Sequence, residues 1–526
     1  MPRRMRRRAP DIRRPYREIN QTAAPGAGAA GKGDKPMSDS QTTHTVEKIG
    51  GTSMSRSREL LDTLFLNGGD DPYGRVFVVS AYGGITDLLL EHKKSGEPGV
   101  YALFSNAEND HGWSDALNRV AEAMKEAHRE VLEHPADIQE ADDFVRERIE
   151  GARSCLIDLQ RLCSYGHFRL SEHMGLIREL LSGLGESHSA QVTTLLLRRN
   201  GVDARCVDLS GWRDDAEVSL DERIDRGFAD IDLSCELPIV TGYAQCAEGL
   251  MNRYDRGYSE VTFANIASRT GAAEAIIHKE FHLSSADPKL VGVDNVRKLG
   301  RTNYDVADQL SNMGMEAIHP SAAKTLRQAG IPLRVTNAFE PEDPGTLIDE
   351  CPAETPAVEI VTGLDVFALQ VYEPDMVGVK GYDATILEAL TRHKLRIVAK
   401  TSNANTITHY VDASMKSVRR VERDLAKAYP SAEITTRSLA VVSAIGRDIS
   451  GLGALSRGLD ALSAEGLEPV AVAQGPRNVD IQFVLPRDVT DTAIRLLHRA
   501  LVEKDSAAAK VTQDAKAKAA APQLAA

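Results

Sequence analysis

Between Thr45 and Asn337, short apolar and β-branched runs alternate with longer stretches whose apolar residues recur every three or four positions. The short runs are TVEKI, RVFVVSA, LPIVTGY, AEAIIHK and IPLRVTN; SAQVTTLLLRRNG and SAAKTLRQAG show the helical period. Strand and helix in this alternation predict an α/β fold, with a mostly parallel sheet covered on both faces. Residues from about 91 to 182 interrupt it. They are polar, helical in period and nearly free of strand signals, so a helical insertion or lid is expected there.

Beyond Val358 the texture changes. VFALQVYEPDMVGVKGYDATILEALTRHKLRIVAKTSNANTITHYV reads strand, loop, helix, strand, turn, strand. LAVVSAIGRDISGLGALSRGLDALSAEGLEPVAVAQGPRNVDIQFVL repeats that order, and a second helix follows each copy, SVRRVERDLAKAY and DTAIRLLHRALVEK. Two βαββα repeats predict a pair of small α+β modules.

Charge alters this picture at the ends. The chain of 526 residues carries −13, yet residues 1–36 hold ten Lys/Arg against three Asp/Glu, leaving −20 on the rest. An acidic body does not suit general nucleic-acid binding. The segment 1–36 is poor in apolar residues and ends in Ala, Gly and Pro, so it is expected to be disordered, with Met37 as the working start. The Ala/Lys-rich stretch 505–526 is expected to be a frayed tail. No apolar run is long enough to span a bilayer, and no secretory signal is evident. The six cysteines (Cys155, Cys163, Cys206, Cys235, Cys246, Cys351) form no C-x-x-C pair, which fits a reducing cytoplasm rather than a zinc site or a disulfide framework.

Candidate chemistry gathers at glycine-rich turns. VEKIGGTSMS places Lys48 one residue before a strand becomes the turn Gly50-Gly51, followed by Thr52 and Ser53. VVSAYGGITD, GLGES and YDRGYSE also read as glycine turns, the last two opening helices. In a parallel sheet such turns collect at the carboxyl edge, where ligands bind. There, glycine lets backbone N–H groups approach phosphate oxygens. No G-x-x-x-x-G-K-[ST], H-R-D, D-F-G or G-x-S-x-G occurs, which disfavours P-loop, protein-kinase and serine-hydrolase chemistry. Taken singly, Lys48 also fits a strand-edge guard, Glu186 a helix-entry carboxylate and Arg256 a surface ion pair.

In order along the chain, these motifs resemble those of the aspartate kinases within the amino-acid kinase family. KIGGTS is similar to K-F-G-G-T-S, VVSAYGGITD to V-V-S-A-x-x-G-x-T-[DN], GESHSAQ to G-E-x-x-S-A and DRGYSE to G-R-G-G-S-D. SSADPKLV resembles the nucleotide-side T-A-D-P-R, and AIHPSAAKTLRQAGIPLRVTN resembles the family's long H-P…I-P-x-x-V-x-N run. The resemblance covers roughly Thr45 to Lys504. It implies a three-layer αβα kinase domain over 45–345 and two ACT-like (βαββαβ) domains over 358–437 and 438–504. It also implies transfer of a phosphoryl group from MgATP to the side-chain carboxylate of L-aspartate. Lys48 and Arg256 are then the catalytic cations. Thr52, Ser53, Ser80, Thr86, Glu186, Ser259 and Glu260 fall on the substrate side; Lys48, Gly50, Gly51, Lys279, Glu280 and Asp287 fall on the nucleotide side. No resident metal site is implied beyond the Mg2+ of MgATP, and neither a nucleic acid nor a membrane partner is expected.

The chain departs from the family pattern at several points. Glu260 stands where Asp is usual and Tyr258 where glycine is. Lys279 and Glu280 replace Thr-Asp, and His282 replaces Asp. The form KEFHLSSADPKLVG resembles the specialised aspartate kinases associated with ectoine biosynthesis. The ACT-like copies imply an amino-acid effector site or a homo-oligomer surface. Ser402, Asn405 and Ile407 keep part of the effector motif in the first copy, while Asn478 and Ile481 do so in the second. Two other readings stay open at this level: another amino-acid kinase such as glutamate 5-kinase, and a catalytically impaired amino-acid sensor.

Overall fold

The computed structural model describes residues 43–92, 95–106, 111–254, 257–315 and 318–503. The expected basic extension 1–36 and the tail 505–526 lie outside them. Eight strands form the first sheet: β1 (Thr45–Ile49), β2 (Arg75–Val79), β3 (Ala204–Val207), β4 (Leu237–Thr241), β5 (Glu274–Lys279), β6 (Arg301–Asn303), β7 (Leu333–Asn337) and β8 (Thr346–Asp349). Their order is β3-β4-β2-β1-β5-β7-β8-β6. From β3 across to β7 the pairing is parallel; β8 runs antiparallel to β7 and carries β6 parallel beside it.

Burial explains why these runs became strands. Successive side chains of a strand point to opposite faces. Val46 and Glu47 are both buried, as are Val78 and Val79, so the sheet is covered on both faces and favours near-continuous apolar runs. The pattern missed β3, β6 and β8, which have only four, three and four residues and lie at or next to the sheet's edges. The chain builds outward from β1 on one side through β2, β3 and β4, then returns to add β5 on the other side. The crevice beyond the end of β1 is therefore the switch point where ligands bind in such sheets.

Helices Val100–Ser105, His111–Val131, Pro135–Ser164 and Leu170–Arg199 follow β2. The last of these passes unbroken through residue 182, where the insertion was expected to end. It also overturns the reading of GLGES as a turn, because residues 183–187 are all helical. The glycines serve close packing instead. A Cβ on Gly185 would stand 2.7 Å from the Cβ of Ala81, and one on Gly183 would stand 3.0 Å from Ser210 and Tyr243.

The C-terminal repeats form a second, six-stranded antiparallel sheet. Its strands are β9 (Ile360–Tyr372), β10 (Arg396–Ser402), β11 (Thr406–Asp412), β12 (Glu433–Ile445), β13 (Ala471–Gln474) and β14 (Asp480–Pro486), in the order β10-β11-β9-β12-β14-β13. β9 and β12 pair along their whole length, from Glu433 opposite Tyr372 to Ile445 opposite Ile360, so both copies share one sheet. The expected boundary at 437/438 falls inside β12, and the first sheet reaches Asp349 rather than stopping at 345. Each copy has its own apolar cluster: one around Leu369, Ile386 and Leu425, the other around Val442, Phe483 and Leu497. Among the described residues no helix is long and apolar enough to cross a membrane.

Candidate active site

Lys48 alternates with Glu47 on β1 and so projects from the opposite face of the sheet, just before the crevice. Its Nζ lies 3.6 Å from Oε1 of Glu260, with both side chains largely buried. Oε2 of Glu260 accepts the backbone N–H of His319. Glu260 thus ties the lysine to the residue that caps helix Pro320–Ala329. His319 also closes over Gly257, where any Cβ would collide with its ring.

Beyond Lys48 lies Glu186, 2% exposed and within helix Leu170–Arg199 rather than at its entry. Ser259, near the start of helix Tyr258–Thr270, donates its hydroxyl to Oε1 of Glu186 at 2.7 Å. Oε2 is buried and makes no well-formed hydrogen bond within the chain. Desolvation pushes the carboxyl up to about 8, and the Ser259 hydrogen bond, Lys48, the Tyr243 backbone N–H and the Tyr258 hydroxyl offset this only in part. Gly242 makes room for the group, since a Cβ there would stand 2.8 Å from Ser259 and 3.1 Å from Oε2 of Glu186.

The turn after β1 carries the phosphate-side candidates. Gly50 precedes the short helix Gly51–Met54. A Cβ on Gly51 would stand 2.7 Å from the carbonyl oxygen of Ala81, so only glycine fits against the neighbouring turn. Thr52 is exposed and Ser53 buried. The Ser53 hydroxyl donates to Oε1 of Glu280 at 2.9 Å, which joins a substrate-side candidate to a nucleotide-side one. Ser80 continues β2, with its N–H on the Ile49 carbonyl at 3.2 Å, and its own carbonyl accepts the Ser189 hydroxyl at 2.8 Å. Thr86 is half-buried in helix Ile85–Leu89. Lys279 ends β5 and receives the Ala338 N–H on its carbonyl at 2.8 Å. Asp287 is exposed and caps helix Pro288–Val291 by accepting the Lys289 N–H at 2.8 Å. Arg256, the second catalytic cation expected from the sequence, lies outside the described residues. A cavity of about 520 Å3 adjoins the turn at Gly83 and Gly84, lined also by Asp87, Arg119 and Glu126; Lys48 and Glu186 are not among its walls.

Sequence reasoning passed over three contributors. His319 was signalled only by the His-Pro pair that opens a helix. Ser189 is the serine of GESHSAQ that matches G-E-x-x-S-A, and it was given no role of its own. Tyr243 donates its hydroxyl to Glu179 at 2.8 Å and walls the Gly183 contact; nothing local marked it.

The mostly parallel sheet and the lysine–glutamate cluster at the end of β1 suit an α/β enzyme that binds a small charged ligand at the sheet's carboxyl edge. The chain belongs to the amino acid kinase family, whose model matches residues 44–337. Aspartate kinase Ask_Ect of Stutzerimonas stutzeri (strain A1501) is 52% identical to it over 467 residues, covering 88% of this chain and 98% of that relative. The crystal structure of E. coli aspartokinase III with aspartate and ADP matches with a TM-score of 0.64 at 20% identity, over 87% of this chain and 99% of that one. The same enzyme with lysine and aspartate gives 0.65 at 20%, over 88% and 100%. At that identity the likeness is one of fold.

Proposed function

We infer that this chain is an aspartate kinase, transferring the γ-phosphoryl group of MgATP to the side-chain carboxylate of L-aspartate to give 4-phospho-L-aspartate and MgADP. One observation carries the reading: beside Lys48, at the switch point of the sheet, a buried glutamate keeps one oxygen without a well-formed hydrogen bond. That oxygen suits an ammonium group, which an amino acid supplies and a simple phosphate acceptor lacks. The attacking carboxylate is ionised at neutral pH, with an ordinary pKa near 4, and needs no general base. The obstacle is repulsion between two anions in a loose transfer, so positioning and positive charge do the catalysis.

In this reading Glu186, assisted by Ser259, holds the substrate ammonium. Arg256 clamps a substrate carboxylate, while Ser80 and Thr86 line the acceptor side. Lys48 exchanges Glu260 for the phosphoryl oxygens in transit. Glu260, one methylene longer than the usual aspartate, spans Lys48 and His319 and so aims the lysine. Gly50, Gly51, Thr52 and Ser53 face the phosphates, and Lys279, Glu280 and Asp287 lie toward the nucleotide. The 52% relative favours the ectoine branch as the user of the product. A cytoplasmic homo-oligomer joined through the six-stranded sheet, with an amino-acid effector, completes the proposal.

The test is hydroxamate formation from aspartate, MgATP and hydroxylamine. Turnover is expected, and Lys48→Ala should reduce it on the order of 100-fold or more. Aspartate binding without turnover in the unaltered chain would overturn the assignment.

A further inference from the structure

The nucleotide-side turn is gripped from the far end of the chain. Ser285 is fully buried. Its N–H donates to the Arg297 carbonyl at 2.9 Å, and its carbonyl accepts the Val361 N–H at 2.8 Å. Its Oγ accepts the Arg297 N–H at 3.0 Å and lies 2.9 Å from Nε2 of His498, which ends helix Thr490–His498. Nδ1 of His498 in turn lies 3.0 Å from Oε1 of Glu503. The Glu503 carboxylate accepts, so Nδ1–H is the donor there and Nε2 accepts the Ser285 hydroxyl. Apolar packing reinforces the link: Leu290 and Val291, just past the turn, sit on the second copy's cluster with Leu497 and Phe483.

Serine, histidine and glutamate in this order match the composition of a hydrolytic triad, but the burial does not. Ser285 and His498 are both at 0% exposure, and the serine oxygen already holds an amide N–H. A group so enclosed holds structure in place rather than attacking a substrate.

We propose that His498 is a positioning residue for the phosphoryl donor: through Ser285 it fixes the Ser284–Asp287 turn, so the second C-terminal copy sets the affinity for MgATP. This rests on the reading of residues 279–287 as nucleotide-side. Aspartate is met by Glu186 and Ser259 on other helices, so its recognition is independent of this link.

Initial rates on the full chain, with MgATP and aspartate varied separately, test it. His498→Ala should raise KM for MgATP roughly five- to tenfold, the worth of one buried hydrogen bond, with KM for aspartate unchanged. His498→Gln restores an acceptor near Nε2 and should recover part of the loss. Leu485→Ala, in the core of the same copy, should lower Tm while leaving KM for MgATP unchanged. An unchanged KM for MgATP in His498→Ala, an equal rise in both KM values, or an equal rise in Leu485→Ala would overturn the proposal. Lys279→Ala and Asp287→Ala separate the two layers. If neither raises KM for MgATP, the nucleotide-side reading itself fails; if they do and His498→Ala does not, only the His498 role falls.

Discussion

Glu47 and Glu186 are equally buried, at 2% exposure each, and their protons go opposite ways. Glu47 meets Arg75 twice, at 2.7 and 2.8 Å, and His278 at 2.7 Å. Burial opposes its ionisation, but Arg75 and His278 outweigh that and hold it well below the usual carboxylate range. Glu186 has the Ser259 hydroxyl, weaker approaches of the Tyr243 N–H and the Tyr258 hydroxyl, a lysine already shared with Glu260, and one oxygen without a well-formed hydrogen bond. The first carboxylate is complete within the protein and ties β1, β2 and β5 together. The second becomes complete only when something cationic arrives. Burial alone therefore does not mark a functional acid; unmet demand for a counter-charge does.

The sharpest way to break this contrast is Glu47→Ala. It leaves Arg75 and His278 facing no counter-ion, and a loss of about 3–5 kcal/mol in urea unfolding is expected. KM for aspartate in the folded fraction should not move. Glu186→Gln should do the reverse: stability at neutral pH held or improved, and KM for aspartate raised roughly tenfold or more, in keeping with a lost charged hydrogen bond. An unchanged KM there would strip Glu186 of its role.

The pH dependence sharpens the contrast further. The folded-state pKa of Glu186, about 8, lies above the ordinary glutamate value of 4.5, so the stability it contributes is present below about 4.5 and lost as pH rises through about 8. Aspartate binding should run the other way, because its ammonium needs the carboxylate. KM for aspartate should fall as pH rises toward 8 and then level off, and Glu186→Gln should flatten that limb. The smallest effect belongs to Ser259→Ala. A few-fold rise in KM for aspartate is expected, with the pH limb displaced upward, since the hydroxyl favours the charged carboxylate.

Much of the fold was legible because it is local. RVFVV is apolar at four successive positions, as suits a strand covered on both faces, and Gly-Gly after TVEKI marks a turn or a close approach. The repeat order of the C-terminal half was visible for the same reason. What stayed hidden was non-local. GLGES looked like a turn because glycine usually marks one; its use as a thin place in a helix depends on Ala81 and Tyr243, far away in the chain. The pairing of Glu47 with Arg75 and His278, and of Ser285 with His498, joins residues that no periodicity connects. The register of β9 on β12, which fuses two copies into one sheet, follows from a shared edge rather than from either copy's own pattern.

The near-contact at Gly183 and Gly185 constrains how this sequence can drift. Position 185 faces Ala81, already close to the smallest residue available, and position 183 faces Ser210 and the ring of Tyr243. Any lineage that acquires a side chain on that stretch of helix must first have emptied the opposite wall. Change there is confined to paired steps taken in one order, and the segment running from Ser80 to Thr86 is bound to change with it.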